Sequence, residues 1–387
     1  MGIELWWLLA LPVFFGLGWV AARIDLTHLL HESRALPRSY FKGLNFLLNK
    51  EPDKAIEAFL EAVKIDPGTI ELHCALGSLF RRRGEADRAI RMHQNLVDRE
   101  DLPNDQRLHA LAELGQDYLK AGLLDRAEEI FLKLSDTDRK EEAQRALLEI
   151  YQQEKEWQKS IEMESRLPDT RQSLIAQFFC EMAANDILHS RWDAALLHLG
   201  EAVAHHRKCV RATLLAGELA WATGRPMEAI ETWNRIEQQD PAYLSLVAEK
   251  LLMAYHQVGR STEGVQLLRG YMERHPSLDL LEATFRAEFD YGDAESAYRL
   301  VRDELKRNPT LLGLEKLIEA QARVASPERR PDLELIKTLL HNHTRRVARY
   351  CCNQCGFKAK QFHWRCPACG GWETYPPKRS EEFDITL

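Results

Sequence analysis

The stretch YCCNQCGFKAKQFHWRCPACGGW, from Tyr350 to Trp372, holds five cysteines. Four of them fall in two copies of Cys-x-x-Cys-Gly: Cys352 and Cys355 before Gly356, and Cys366 and Cys369 before Gly370. Four thiolates arranged as two such knuckles suit a tetrahedral site for one zinc or iron ion. Ten residues separate the pairs, enough for a short hairpin. Glycine after each second cysteine allows a tight turn that points backbone N–H groups at sulfur. Cys351 breaks the symmetry and is expected to pack as a small hydrophobe, with competition for a ligand position as the alternative. A redox-active disulfide pair is the rival to a metal. Phe357, Trp364 and Trp372 are expected to shield the site or pack it against the last helices; stacking on nucleic-acid bases is the other use of such aromatics. A segment this short has little core, so the metal is expected to supply most of its stability.

The rest of the chain must position this cluster. The protein has 387 residues, 29% charged and 45% hydrophobic, with a net charge of −7. That composition is globular and gives no overall drive toward nucleic acid. From His341 to Leu387 there are eight Lys/Arg against four Asp/Glu, a mildly basic end on an acidic protein. Cys74, Cys180, Cys209 and Cys351 have no Cys-x-x-Cys partner, and the first three lie far apart in helical stretches. They read as buried free thiols of a reducing compartment rather than a disulfide framework.

The chain opens MGIELWWLLALPVFFGLGWVAAR, uncharged from Leu5 to Ala22. At 1.5 Å per residue these eighteen residues reach about 27 Å, close to the apolar thickness of a bilayer. Trp6, Trp7 and Trp19 sit near the ends, as interfacial aromatics do. Pro12 is tolerable inside a membrane helix. The stretch is too long for an ordinary signal-peptide core, and no Lys or Arg precedes it. Arg23, Arg34 and Arg38 follow it, so the positive-inside rule places the large C-terminal part in the cytoplasm.

Between these ends one pattern recurs. Gly43, Gly77, Gly115 and Gly217 are each followed twelve residues later by Ala55, Ala89, Ala127 and Ala229. Phe46, Phe80, Tyr118 and Ala220 lie three after each glycine, and Phe59, His93, Phe131 and Trp233 four after each alanine. Pro67, Pro241, Pro276 and Pro309 close several units. Weaker copies run through Leu148–Ser160, Ala183–Ala195, Leu252–Gly264 and Phe285–Ala297, giving about eight units between Tyr40 and Pro309. The pattern resembles the tetratricopeptide repeat, in which small residues let two helices pack closely and a large one fills the gap beside them. Helices near Leu311–Ala325 and Pro331–Arg346 are expected to cap the array. Such an array offers a groove for a peptide or protein. Tyr40, Arg81, Arg82, Gln116, Glu218 and Trp221 are candidates to line it.

The expected fold is mainly α: a tetratricopeptide-repeat α-solenoid with an N-terminal transmembrane helix and a small C-terminal four-cysteine rubredoxin-like ribbon. Its parts are a transmembrane anchor (1–22), a juxtamembrane linker (23–38), the repeat array (39–310), capping helices (311–347), the metal-binding domain (348–376) and a tail (377–387). This order of parts, with GLNFLLNKEPDKAIEAFL, LFRRRGEADRAIR, LGQDYLKAGLLDRAEEIF, EWQKSIE and CGFKAKQFHWRCPACGGW, resembles the lipopolysaccharide assembly protein B family of Gram-negative bacteria along essentially the whole chain. The resemblance implies a non-catalytic adaptor on the cytoplasmic side of the inner membrane. Such an adaptor restrains lipopolysaccharide synthesis by promoting destruction of the deacetylase LpxC by the membrane protease FtsH. It also implies Cys352, Cys355, Cys366 and Cys369 as ligands of one metal ion, iron or zinc. Other inner-membrane or lipopolysaccharide-synthesis proteins are further expected partners, and self-association is left open. No nucleophile triad, P-loop, dinucleotide fingerprint or His-Glu-x-x-His motif occurs. A rubredoxin-like electron carrier and a nucleic-acid-binding ribbon are the alternatives.

Overall fold

A small residue in one helix and a large ring in the next set each repeat. A Cβ added to Gly43 would lie 2.7 Å from the Phe59 ring, one on Gly115 2.7 Å from Phe131, and one on Gly217 2.1 Å from the Trp233 indole nitrogen. Phe59, Phe131 and Trp233 are almost wholly buried there. The twelve-residue spacing read in the sequence is thus the spacing of one helix–helix contact.

The computed structural model describes residues 38–65 and 69–381. The described residues divide into two compact units, one up to Glu154 and one from Lys155. In the first, helices α1 (Arg38–Leu48), α2 (Pro52–Ile65), α3 (Ile70–Arg82), α4 (Ala86–Val97), α5 (Asn104–Lys120), α6 (Leu124–Leu134) and α7 (Lys140–Glu154) follow one another. In the second come α8 (Trp157–Arg166), α9 (Gln172–Leu188), α10 (Trp192–His205), α11 (Val210–Ala222), α12 (Pro226–Asn234) and the short α13 (Ile236–Gln239). After a 3₁₀ turn at Pro241–Tyr243 the unit continues with α14 (Leu244–Gln257), α15 (Ser261–Arg274), α16 (Leu278–Tyr291), α17 (Ala294–Arg307), α18 (Leu311–Val324) and α19 (Arg330–Val347). Three short strands end the described chain: β1 (Ala348–Cys351), β2 (Lys358–Ala359) and β3 (Ser380–Glu381). The protein is therefore mainly α, built of stacked tetratricopeptide-type helix pairs and a small terminal ribbon. The two expected capping helices are α18 and α19. The expected membrane-spanning helix over 5–22 lies outside the described residues; no described helix is long and apolar enough to cross a membrane.

The first helix of a pair, helix A, ends in a recurring left-handed residue seven positions after the small one. Gly84, Gly122, Gly224 and Gly259 hold it with φ of 79°, 74°, 74° and 71°, and Lys50 and Ser190 hold it with φ of 58°. The next N–H then bonds back across the turn, as Glu85 to the Phe80 carbonyl and Arg225 to the Ala220 carbonyl, both at 2.9 Å. This satisfies carbonyls that the helix end leaves unpaired.

Several residues expected to line a binding groove are engaged in packing instead. Arg81 Nη1 donates to Asp117 at 2.7 Å and Nη2 to Glu113 at 2.6 Å. Asp117 also meets His93 Nδ1 at 2.5 Å, and both of those side chains are fully buried. His93 takes the place of the large ring opposite Gly77, and the acid satisfies its polar edge. Glu218 pairs with Lys250, Trp221 packs on Trp233, and Tyr40 packs on Phe59. Arg82 remains exposed at a helix end and Gln116 half-buried.

The Gly217–Trp233 contact leaves no room for a methyl group, and the ring is fixed by a 3.1 Å bond from its Nε1 to the Leu214 carbonyl. Gly217→Ala is expected to lower stability by about 2 kcal/mol despite the better helix propensity of alanine. Urea unfolding followed by circular dichroism measures this; unchanged or increased stability would show that the ring relaxes freely.

Candidate metal centre

The two knuckles are built alike. In the first, Gly356 N donates to the Cys352 carbonyl and Cys352 N to the Phe357 carbonyl, both at 2.9 Å. In the second, Gly370 N donates to the Cys366 carbonyl at 2.9 Å and Cys366 N to the Gly371 carbonyl at 2.8 Å. Gly356 and Gly370 sit at φ of 74° and 71°, the region that a side chain disfavours. Strand β1 lies between β2 and β3, antiparallel to both, with Tyr350 opposite Ala359 and Arg349 opposite Ser380. The ribbon was expected to end at residue 376. It takes in Ser380–Glu381 as its third strand, because β1 otherwise has a bare edge.

The structure brings the sulfurs of Cys352, Cys355, Cys366 and Cys369 together, all within 4.8 Å of one another. Cys352 and Cys369 sulfurs lie 3.8 Å apart, and those of Cys355 and Cys366 3.7 Å. A tetrahedron with metal–sulfur bonds of about 2.3 Å has edges of about 3.8 Å, whereas a disulfide is about 2.05 Å long. The donor set therefore fits a four-thiolate ion, and the spacing is that of a metal site. Burial opposes ionisation of Cys352, yet the Thr374 hydroxyl at 3.2 Å and the backbone N–H groups of Cys355 and Gln354 pull its thiol down to about 6. Cys366 is lowered too, with burial outweighed by N–H groups of Cys369 and Ala368. One sulfur of each knuckle is thus shifted toward ionisation, and its partner, Cys355 or Cys369, away from it. When bound, the ion cross-links the two knuckles. Cys351 stays outside the set, half-buried on β1, with its sulfur 3.7 Å from the Gly356 carbonyl.

Cys352 and Cys366 are buried with Tyr350 and Tyr375; Cys355 and Cys369 are exposed. The Tyr375 hydroxyl donates to the Phe357 carbonyl at 3.1 Å, so it holds the first knuckle from beneath.

Of the two expected roles, shielding the site or packing it against the last helices, the second is not met: Trp364 and Trp372 seat the ribbon on α8, α9 and the 3₁₀ turn before α14, in the middle of its unit. Trp372 meets Phe178 of α9 edge-on at 5.8 Å and Trp157 of α8 at 6.1 Å. Trp364 lies flat on Tyr243 at 5.3 Å and 5°, with Phe362 edge-on to both. The Arg211 guanidinium from α11 sits 5.5 Å from the Trp364 ring and 5.8 Å from Trp372, and Glu181 holds it at 2.8 Å. Phe357 alone of the three expected shields remains 42% exposed.

A polar row continues the seat. Gln177 on α9 donates to Glu373 at 2.7 Å, and Ser245 on α14 to the Pro377 carbonyl at 3.0 Å. On α16, Asp279 accepts from the Arg379 N–H at 3.0 Å and from its guanidinium, which also reaches Glu282 at 2.8 Å. The segment from Trp372 to Arg379 thus crosses successive A helices in order. Sequence reasoning missed these partners because each helix supplies a different residue type. It also missed that the Cys180 and Cys209 thiols meet at 3.8 Å under this seat.

Removing the ion with a chelator, or Cys352→Ser, is expected to unfold residues 348–381 and release Trp364 and Trp372 while helix content changes little. Red-shifted tryptophan fluorescence with near-constant circular dichroism is the expected signature; retained protease protection of the ribbon would contradict it. The clamp should also depend on pH. Burial pushes the Glu282 carboxyl up, but Arg379, Lys316 and Arg286 outweigh it and hold the group below the usual carboxylate range. A lowered folded pKa stabilises above the unfolded value of about 4.3 and is lost as pH falls through the folded one. Ribbon protection in the native chain and in Glu282→Gln should therefore differ at pH 7 and converge only as pH falls through the lowered Glu282 pKa. An equal gap at both ends would remove Glu282 from the clamp.

Comparison with known proteins agrees with this architecture. Residues 350–377 match a family described as a rubredoxin metal binding domain, and residues 39–69 and 189–243 match tetratricopeptide repeats. A protein of Escherichia coli strain K12 named lipopolysaccharide assembly protein B is 36% identical over 97% of this chain and 98% of its own. One of the same name from Haemophilus influenzae is 30% identical over 99% of this chain and 100% of its own. With helix pairs, knuckles and near-complete coverage in agreement, the chain belongs to the lipopolysaccharide assembly protein B family.

Proposed function

We propose that the protein is a non-catalytic adaptor that regulates lipopolysaccharide biosynthesis at the inner membrane. On this reading residues 1–22 anchor it by a single pass with the repeats on the cytoplasmic side. It brings the deacetylase LpxC to the membrane protease FtsH and so promotes LpxC proteolysis. The observation that carries the proposal is likeness along nearly the whole chain to proteins named for lipopolysaccharide assembly. The site's chemistry supports it. The sulfur cluster is tied to four helix pairs by rings and ion pairs, which suits a part that fixes the shape of a binding scaffold.

A second reading, electron transfer, draws on one specific feature: one cysteine of each knuckle, Cys355 and Cys369, is exposed. It requires iron. Zinc as the sole metal of the purified protein would end it. The base-stacking alternative keeps only Phe357, since Trp364 and Trp372 lie against Tyr243 and Phe178.

Photo-crosslinking from the native chain in cells is the direct test. A membrane protease and a soluble deacetylase are the expected captures, and removal of residues 1–22 should sharply reduce both. Capture of neither, or undiminished control of lipopolysaccharide level without the anchor, would defeat the proposal.

A further inference from the structure

Helix α10 (Trp192–His205) departs from α8, α12, α15 and α17, the other second helices of the repeats in its unit. Its inner face is ordinary: Ala195, Leu199 and Ala202 are buried. Two residues after the small inward position the neighbouring second helices carry exposed Glu162, Glu231, Gln266 and Arg299. α10 carries Leu197 there, 72% exposed. Leu196 and Val203 are 52% and 43% exposed, and Gly200 and Ala204 are exposed as well. A Cβ on Gly200 would meet nothing within 4 Å. At about 100° per residue all of these fall within about 60° of Gly200 around the helix. They form one continuous apolar outer stripe.

The stripe is self-complementary about Gly200. Three residues to either side stand Leu197 and Val203, four to either side Leu196 and Ala204, and seven to either side Asp193 and Arg207. Asp193 opens the helix, Arg207 lies in the turn after it, and both are exposed. Two copies of α10 crossing antiparallel at Gly200 therefore set large residues against small or branched ones and an acid against a base at each end. The helix dipoles also oppose favourably. This is the pattern of an isologous twofold contact, where one patch meets itself.

We propose that α10 is the interface of a homodimer, with the twofold axis at Gly200 and Asp193 of each copy paired with Arg207 of the other. One helix face supplies less than the roughly 800 Å² per partner of a standard interface, so the dimer is weak, with Kd on the order of micromolar. Confinement of two copies to one surface would raise its population.

Sedimentation velocity on the full chain in detergent, from about 1 to 100 μM, tests this across the expected Kd range. The native chain should show a reversible monomer–dimer equilibrium. Leu197→Glu, which alters an exposed side chain, should weaken it at least tenfold with an unchanged melting curve. Asp193→Arg and Arg207→Asp should each weaken it severalfold, and the doubly exchanged chain should recover to within about twofold of native. A monomer throughout, a dimer indifferent to Leu197→Glu, or a double exchange no tighter than the single ones would each overturn the proposal.

Discussion

The segment from Ala348 to Glu381 cannot bury enough apolar surface to hold itself, and the rest of its unit is arranged around that shortage. Its own interior is Tyr350, Cys352, Cys366 and Tyr375, and two of these four belong to the four-cysteine cluster. Its largest rings, Trp364 and Trp372, face outward onto the helices. Both rings are half-buried, and the apolar area each covers contributes about 1–2 kcal/mol, a large share for so small a ribbon. Metal and seat are also mechanically linked. Trp364 lies two residues before Cys366 and Trp372 three after Cys369, so the second knuckle carries both supports. The bridge between Arg365 and Trp372 ties the two sides of that knuckle together. Loosening either support frees the other.

The array solves a different problem, that of repeating one contact while the residues drift. The small-to-large contact recurs at Gly43, Gly77, Gly115 and Gly217, but the large partner is Phe59, His93, Phe131 or Trp233. Each polar ring brings a requirement with it. Trp233 needs an acceptor for its N–H and finds the Leu214 carbonyl. His93 needs Asp117, which in turn takes Arg81. An exposed-looking arginine is thereby drawn inside as the end of a chain of obligations that starts at one ring.

What could be read from the sequence follows from whether a feature is local and periodic. The knuckles were legible because ligand spacing and the following glycine are both short-range. The helix pairs were legible because Gly217 and Ala229 repeat the spacing of Gly43 and Ala55. The four cysteines meet as that spacing implied. The seat of the ribbon was not legible. Gln177, Arg211, Ser245 and Asp279 share neither residue type nor spacing, and each meets a part of the chain a hundred or more residues away. Likewise Arg81 carries the look of a polar helix end, and only its distance to Asp117 reveals otherwise. Ser190 and Lys50 hid the left-handed turn because glycine is the usual sign of it.

Filling the A-helix face with the chain's own ribbon constrains how this unit meets anything else. Gln177, Ser245, Asp279 and Glu282 already hold residues 373–379. An external segment seeking the same donors and acceptors competes with an attached one, whose effective concentration is of millimolar order. A free partner would need affinity well beyond a typical peptide–groove contact to displace it. The surfaces left to a partner in this unit are then the exposed knuckle tip, where Cys355, Phe357 and Cys369 face solvent, and the outward faces of the second helices. Of those outward faces, the one on α10 is built for something apolar, while those carrying Glu162, Glu231 and Arg299 are built for water or for charge.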